Sequence, residues 1–420
     1  MPLCYNSCCQ VAGAQSIYNM KIRSKEPYWL LRNGLVNSYP SLRKNISCEV
    51  LIVGGGITGS LLAYQLSKEG YETILIDKRD VCLGSTSATT AMLQYEIDEP
   101  LYSLIEKVGE AVAVASYKAG VQAIETLENV ILKIKAECGF NRKESLFIAS
   151  SKHDKHWLLK EFETRKKYGF QVVWINKGDL KSTYRIVGEG AILSTIGGSV
   201  DAYALAHALL NFSTKKYGLS VFDHTSLEHV THGKNSNTVH TDDGFAIKTK
   251  IIVYATGFET KSLIKGDFVK LISTYAFVSE PLGTIPDALK NTIFWDTQDP
   301  YLYMRTTDDN RILVGGGDEN FKNPLRRDRL IEKKEVKLLE NAKKLFPKLE
   351  LIPDFSWAGT FGITKDALPY IGPHPDFPNS FFVLGYGGNG ITFSVMGMKI
   401  ISDAIAGRTN KLLEYYRFNR

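Results

Sequence analysis

Three glycines in the first quarter of the chain have the spacing of a phosphate-binding turn. Gly54, Gly56 and Gly59 follow a short apolar run, precede a helical pattern, and are followed by a second apolar run that ends on Asp77. This order of strand, glycine turn, helix, strand and acid is typical of a dinucleotide-binding unit. An ordinary glycine-rich turn would account for the glycines alone, but not for the flanking elements and the acid together.

Each residue type in this unit has a physical reason. Gly54 permits a tight turn out of the strand, Gly56 lets the backbone approach a pyrophosphate, and Gly59 lets the helix pack near the strand. The pyrophosphate would sit at the helix N-terminus, where free N–H groups and the helix dipole favour an anion. Asp77 can accept hydrogen bonds from a ribose 2′-OH, which disfavours a 2′-phosphate and therefore NADP.

The composition sets limits on the class of protein. The chain has 420 residues, of which 44% are hydrophobic and 23% are charged. This composition is typical of a globular protein with a sizeable core and two domains. The formal net charge of +6 is spread along the chain, so nucleic-acid binding is not indicated. No apolar run is long enough for a transmembrane helix.

The six cysteines form no zinc-type pair set, and in a chain of this length they indicate reduced thiols. The first nineteen residues lack the pattern of a secretory signal. We therefore expect a cytoplasmic protein, in which these residues are either an extension or an artefact of choosing Met1 over Met20 as the start. Histidines 224, 229, 232 and 240 show no ligand-like spacing, and we predict no metal site.

Four glycine-rich segments follow predicted strands, at 54–59, 84–87, 256–257 and 385–390. In an open parallel sheet, ligands bind outside the carboxyl ends of the strands. A long ligand held by several strand ends matches FAD better than NAD, which would use mainly the first. A flexible surface loop is the alternative for 385–390, but a helical pattern starts immediately after it.

Strands and helices alternate at the two ends of the chain, whereas the middle is rich in strands. We therefore predict an α/β protein, in which a FAD-binding, Rossmann-like parallel-sheet domain carries an inserted β-rich (α+β) substrate domain. The predicted division is an N-terminal extension and arm at 1–47, the FAD-binding domain at 48–140, 201–262 and 351–420, and the substrate domain at 141–200 and 263–350.

Five segments taken together resemble the D-amino-acid-oxidase-like FAD-dependent oxidoreductases, the group that includes glycine oxidase, sarcosine oxidase and gamma-glutamylputrescine oxidase. The resemblance extends from about Cys48 to Ile405. In chain order, the segments are VGGGITGSLLAYQL with ILIDKR, GSTSATTAMLQYEID, IIVYATG, WAGTFGITKDALPYIGPHP and FFVLGYGGNGITFSVMG.

The resemblance implies a set of non-covalent FAD contacts, from the pyrophosphate and adenosine to the flavin N1–C2=O region. At the flavin, a helix N-terminus would stabilise negative charge. The implied contacts are Gly54, Gly56, Ile57, Thr58, Gly59, Asp77, Lys78, Gly84, Ser85, Thr86, Ser87, Thr90, Leu227, Gly257, Gly388, Asn389, Gly390, Ile391 and Thr392.

The resemblance also implies the reaction. In this family, FAD takes a hydride from the carbon next to an amine nitrogen, and the resulting imine is hydrolysed. The substrate would be a small amine or amino acid, and the electron acceptor would be oxygen or another carrier. An NAD-linked dehydrogenase and a flavin-binding module without turnover are the alternatives.

Three positions depart from the family pattern. Phe361 stands where the amino-acid oxidases place a carboxylate-binding Arg, so an amine, or a substrate with a distant carboxylate, is favoured. Gly359 stands where sarcosine oxidase carries its flavin-linked Cys, so covalent attachment is not expected. The oxygen-activating Lys would fall near Leu313, which puts fast reaction with oxygen in doubt.

The candidate substrate-pocket residues are Tyr303, Arg305, Phe361 and Tyr95, with Glu96 beside the last. Arg305 could bind an anionic end of the substrate with two hydrogen bonds, or it could form a structural salt bridge. Glu96 could bind an ammonium group, although a surface ion pair explains it as well.

Overall fold

The structure is a computed structural model that describes residues 21, 23–24 and 26–420. The predicted extension before Met20 lies outside these residues. Strands β1 to β19 are, in chain order, Ile46–Val53, Thr73–Ile76, Met92–Gln94, Asn141–Arg142, Glu144–Ile148, Val172–Asn176, Gly190–Ser194, Gly197–Ser199, Ser220–Phe222, Leu227–His232, Asn237–Thr241, Ala246–Tyr254, Lys270–Ser279, Thr292–Asp296, Leu302–Thr306, Ile312–Asn320, Pro353–Ile363, Tyr370–Pro373 and Ser380–Leu384.

The strands form two large sheets and a small antiparallel one of β3, β8 and β4, and helices pack on the large sheets and in the connections between them. Helices α1 to α13 are, in chain order, Tyr28–Asn33, Ile57–Lys68, Ser85–Ala88, Leu101–Val108, Glu110–Ile134, Lys152–Lys167, Lys177–Asp179, Ala202–Tyr217, Asp287–Lys290, Pro324–Arg329, Ile331–Leu345, Gly390–Ile405 and Lys411–Tyr415. A π-helical turn spans Leu180–Tyr184, and a 3₁₀ turn spans Gly257–Ser262.

The first sheet is the dinucleotide-binding layer. Its parallel strands lie in the order β9, β2, β1, β12 and β19, with β10, β11 and β18 added antiparallel. The last four residues of β1 are all buried, as expected for a parallel strand that is covered on both faces. Helices α2, α5, α8 and α12 contribute to the hydrophobic core on one face of this sheet. The α/β class is confirmed.

The second sheet forms the β-rich layer. Its strands lie in the order β17, β13, β16, β15, β14, β5, β7 and β6, and they are antiparallel except for the pair β14 and β5. Helix α11 packs against it in a separate core. Strand β17 pairs with β13 along its whole length, so the division predicted between residues 350 and 351 comes too early. The chain returns to the first layer only after Ile363.

The residues before β1 are an integral part of the fold. Tyr28 and Trp29 of α1 are buried, and Trp29 Nε1 donates a hydrogen bond to the carbonyl oxygen of Thr89 at 2.7 Å. Ser24 N–H donates to the carbonyl oxygen of Ala358 at 2.9 Å, so this segment extends the edge of β17. The described part of the predicted arm therefore belongs to the wall that β17 forms.

A buried histidine on α8 allows a stability prediction. His207 is fully buried, neither ring nitrogen has a hydrogen-bond partner among the described residues, and burial lowers its pKa to about 4. We expect His207→Leu to raise the free energy of unfolding by about 1 kcal/mol at pH 7, because it removes an unpartnered polar group.

The gain from His207→Leu should be larger at pH 5. Between the unfolded pKa near 6.5 and the lowered folded pKa, only the unfolded wild-type chain binds the proton, so the wild type loses stability as the pH falls. Urea unfolding at both pH values measures this difference, and His153→Leu, at an exposed position, is the matched control. A loss of stability at both pH values would contradict the prediction.

Candidate active site

The two sheets enclose a cleft of about 700 Å³. The carboxyl ends of β1, β2, β12 and β19 open onto one side of it, and strands of the second sheet supply the opposite wall. Of the implied FAD contacts, those that line the cleft are Gly54, Gly56, Ile57, Thr58, Asp77, Lys78, Gly84, Ser85, Thr86, Thr90, Leu227, Gly257, Gly388, Asn389, Gly390 and Ile391.

Three implied contacts support the lining without forming part of it. Ser87 Oγ donates to the carbonyl oxygen of Gly84 at 3.0 Å, and Thr392 Oγ1 donates to that of Asn389 at 2.9 Å. A Cβ at Gly59 would lie far inside van der Waals contact with the carbonyl oxygen of Gly54. The absence of a side chain at Gly59 therefore lets α2 begin directly above the turn.

The turn after β1 is shaped by its neighbours. Gly54 has φ +108°, and a Cβ there would lie 2.5 Å from the carbonyl oxygen of Ala255. Asp77 accepts hydrogen bonds from the backbone N–H groups of Gly55, at 2.7 Å, and Arg79, at 2.9 Å. Its carboxylate thus holds the turn in place, and contact with a ribose 2′-OH stays a prediction.

The N-termini of α2 and α12 both face the cleft, and neither N-cap residue supplies a capping side chain, although Thr86 Oγ1 accepts from Ile57 N–H at 2.9 Å. Ser85 Oγ also lines the cleft, is buried, and has no hydrogen-bond partner among the described residues. An unpartnered hydroxyl and two helix N-termini that open onto the cleft match a ligand with a pyrophosphate and a polar carbonyl edge. The residues of this cleft therefore fit FAD.

The loop that precedes α12 is fastened to the segment after β3. Asn389 Nδ2 donates to the carbonyl oxygens of Gln94, at 3.1 Å, and Glu96, at 2.8 Å. Gly388 N–H donates to the carboxylate of Asp98 at 2.7 Å. Asp98 also lines the cleft; it is not among the predicted pocket residues, although it lies only two residues beyond Glu96.

The second sheet contributes an aromatic wall. Tyr303 and Phe361, both predicted pocket residues, line the cleft, as do Trp295, Tyr301 and Thr274. Burial raises the pKa of Tyr303 and of Tyr301 far above the neutral range, so both phenols are uncharged. This wall is therefore neutral and largely apolar.

Arg305 and Tyr95, also predicted pocket residues, do not line the cleft. Arg305 is buried; its Nε donates to the carbonyl oxygen of Thr90 at 2.7 Å, and its Nη2 donates to that of Val200 at 3.2 Å. The hydroxyl of Tyr95 accepts from Ser194 Oγ at 3.2 Å. The structure thus corrects both assignments, since backbone carbonyls occupy the guanidinium and packing buries the tyrosine.

Glu96 lines the cleft, but its carboxylate lies in a buried ion network. Arg165 Nη1 lies 3.4 Å from Glu96 Oε1, and Arg165 Nε lies 2.6 Å from Glu161 Oε1. Glu161 also accepts from the backbone N–H groups of Leu101 and Tyr102. The surface-pair interpretation of Glu96 is therefore wrong, whereas contact with an ammonium group stays a prediction, since Glu96 Oε2 has no hydrogen-bond partner among the described residues.

The histidine prediction also needs a correction. His224 Nε2 lies 3.2 Å from Asp80 Oδ1, and with Asp223 these residues place three potential ligand atoms within 4.8 Å of one another. None of the three residues lines the cleft. The residues converge only in the fold, because Asp80 follows β2 and Asp223 follows β9.

Comparison with known proteins identifies the family. Residues 49–404 match the family described as FAD dependent oxidoreductase (DAO). The chain belongs to this family. Glycine oxidase from Geobacillus kaustophilus (strain HTA426) is 25% identical, with 85% of this chain and 92% of that protein covered. Gamma-glutamylputrescine oxidoreductase from Escherichia coli (strain K12) is 24% identical, with 88% and 86% covered.

The fold of this family is confirmed by a solved structure. Crystalline glycine oxidase from Geobacillus kaustophilus superposes with a TM-score of 0.75 at 20% identity, covering 89% of this chain and 99% of that chain. The cofactor is FAD, held non-covalently, and Gly359 in the cleft wall has no side chain that could bond to it. Among the described residues, no helix is long and apolar enough to cross a membrane.

Proposed function

We propose that this FAD-dependent oxidoreductase oxidises an amine at its C–N bond and releases an imine that water hydrolyses. FAD, when bound, supplies the hydride acceptor, and the protein orients the substrate. One observation carries the choice of an amine. Lys78 and Arg79 are the basic residues among the described cleft lining, and both lie next to Glu259, at 3.1 Å, beside the end of β2.

The aromatic wall therefore offers no basic side chain to a substrate carboxylate. Phe361 stands in this wall where the amino-acid oxidases place an Arg, and Arg305 is held by backbone carbonyls. A carboxylate next to the reacting carbon would lose its hydration without gaining an ion pair, which is costly. By their names, the relatives act on an amino acid, glycine, and on an amine, gamma-glutamylputrescine.

We extend the proposal to the electron acceptor and the compartment. Leu313 is fully buried in β16 and does not line the cleft, so the position supplies no cation to activate oxygen. A carrier other than oxygen is therefore favoured as the acceptor. Cys48, Cys82 and Cys138 are free buried thiols, which suits the cytoplasm.

Visible spectroscopy under anaerobic conditions tests this function. Matched pairs of substrates separate the two classes: butylamine against norvaline, and benzylamine against phenylglycine. We expect the amine of a pair to bleach the flavin absorbance at least about tenfold faster than its α-carboxylate counterpart. Faster bleaching by the amino acids would contradict the amine assignment, and a yellow protein that none of the four bleaches would favour a module without turnover.

The same samples test the electron acceptor. We expect the colour of the bleached enzyme to return slowly when air is admitted and quickly when a soluble quinone is added. Return of colour within seconds in air alone would identify an oxidase.

A further inference from the structure

Asp98 presents a carboxylate to the cleft. Its side chain is exposed there, and it accepts a hydrogen bond from Gly388 N–H at 2.7 Å. A Cβ at position 388 would lie 2.6 Å from Asp98 Oδ1, so this approach requires the glycine. The carboxylate is therefore held against the loop that starts α12, on the side of the cleft that faces the aromatic wall.

The surroundings of Asp98 contain no compensating cation. Among the described residues, no Lys, Arg or His nitrogen lies within 4.0 Å of its carboxylate. The titratable groups that act on it or respond to it are Glu99, Asp318, Tyr301 and Tyr303. All four are neutral or negative.

This part of the cleft therefore concentrates negative potential. Asp318 is held near Thr274, and burial together with Asp98 raises its pKa to about 7 in spite of the opposing charge of Lys334. Surrounding protein atoms also raise the pKa of Asp98, because they displace part of the water that would stabilise its charge, although the side chain still reaches the open cleft. A bound cation would relieve both effects, and the rings of Tyr301 and Tyr303, which line the same cleft, are groups that an ammonium ion can also contact.

We propose that Asp98 binds the ammonium group of the substrate and accepts its proton. In this step an N–H bond breaks, its electron pair stays on nitrogen, and an O–H bond forms on Asp98, with no change of oxidation state. The neutral amine then has a lone pair to assist departure of the hydride from the adjacent carbon. The assignment rests on the proposed amine oxidation, and it makes Asp98 a substrate-binding and catalytic residue.

The alternative is that Asp98 only fastens the glycine loop. Asp98→Asn separates the two roles, because its amide oxygen can still accept the hydrogen bond from Gly388 N–H while the negative charge is lost. Asp243→Asn, in an exposed turn and not part of the cleft lining, is the matched control for removing one charge. FAD content and the visible spectrum of each variant report whether the loop is intact.

Binding of a permanent cation is the first measurement. Tetramethylammonium carries the charge without a transferable proton, and tert-butanol is its neutral counterpart of similar size. Perturbation of the flavin spectrum reports binding. We expect Asp98→Asn to weaken the binding of tetramethylammonium by at least about tenfold. Asp98→Asn should bind tert-butanol as tightly as the wild type does. Asp243→Asn should bind both ligands with wild-type affinity. Equal tetramethylammonium affinity in the wild type and Asp98→Asn would overturn the proposal.

The pH profile is the second measurement, made with the amine that bleaches the wild type fastest. The wild type should lose kcat/KM as the pH falls through the raised pKa of Asp98, where the acceptor becomes protonated. Asp98→Asn should instead gain about tenfold in kcat/KM per pH unit, up to the pKa of the amine itself, because only the neutral amine reacts. If Asp98→Asn kept the wild-type pH profile, or lost the same factor in kcat/KM at every pH, the role of Asp98 would be structural only.

Failure of the proposed function would look different. In that case no amine would bleach the wild type, yet the difference in tetramethylammonium binding between the wild type and Asp98→Asn would still appear. A cation site at Asp98 would then stand without amine oxidation.

Discussion

A Gly59→Ala variant is expected to lose its bound FAD. The added Cβ would overlap the carbonyl oxygen of Gly54, and both atoms belong to backbone that cannot turn aside. Either the turn after β1 or the first turn of α2 must therefore move away from the pyrophosphate position. A cost of about 3 kcal/mol corresponds to about a 100-fold loss of affinity for FAD. Titration of the apoprotein with FAD, followed by flavin fluorescence, measures it.

Gly283→Ala is the matched control. A Cβ at Gly283 meets nothing within 4 Å, and its backbone does not require glycine. This variant should bind FAD like the wild type. If Gly59→Ala did so too, the close packing of α2 on the turn would not be needed for cofactor binding.

Arg165→Met should cause the largest loss of stability. Glu96, Glu161 and Arg165 are all buried, and removal of the cation leaves two buried carboxylates without it. Breaking a buried ion pair from one side typically costs about 3–5 kcal/mol. Chemical denaturation of the holoprotein measures the free energy of unfolding, and we expect the midpoint to fall accordingly.

Two further variants check the cause. Arg165→Met combined with Glu96→Gln should recover part of the loss, because one of the stranded charges is removed. Arg326→Met, at an exposed arginine, should leave the midpoint nearly unchanged. An equal loss in the double variant would point to packing of the arginine stem instead of its charge. Because the backbone of Glu96 also accepts from Asn389, FAD binding should weaken together with stability.

The cofactor half of the site could be predicted from the sequence because its signals are local. The glycine spacing, the acid after the second strand and the helix after 385–390 each specify a short piece of backbone. The order of the five segments indicates the family, and the family in turn predicts the fold. Strand β12 continues through Lys248 and Lys250, because these exposed lysines alternate with neighbours that point into the core.

The substrate half could be predicted only in part, because its partners come from distant strands. Tyr303 and Arg305 point to the same face of β15, yet only Tyr303 reaches the cleft. Arg305 does not reach the cleft because its guanidinium donates hydrogen bonds to the carbonyl oxygens of Thr90 and Val200. No periodicity in the sequence reveals these acceptors. Asp98 was missed for the same reason, since Gly388 lies 290 residues further along the chain.

The positions of α2 and α12 bear on how the protein matures. Helix α2 ends at residue 68 and α12 begins at residue 390, yet the two pack together and both face the cleft. During synthesis from the N-terminus, the glycine turn leaves the ribosome long before the helix that completes the opposite end of the cavity. We therefore expect capture of FAD to wait until nearly the whole polypeptide has been released, and a chain that ends before α12 to lose the cofactor.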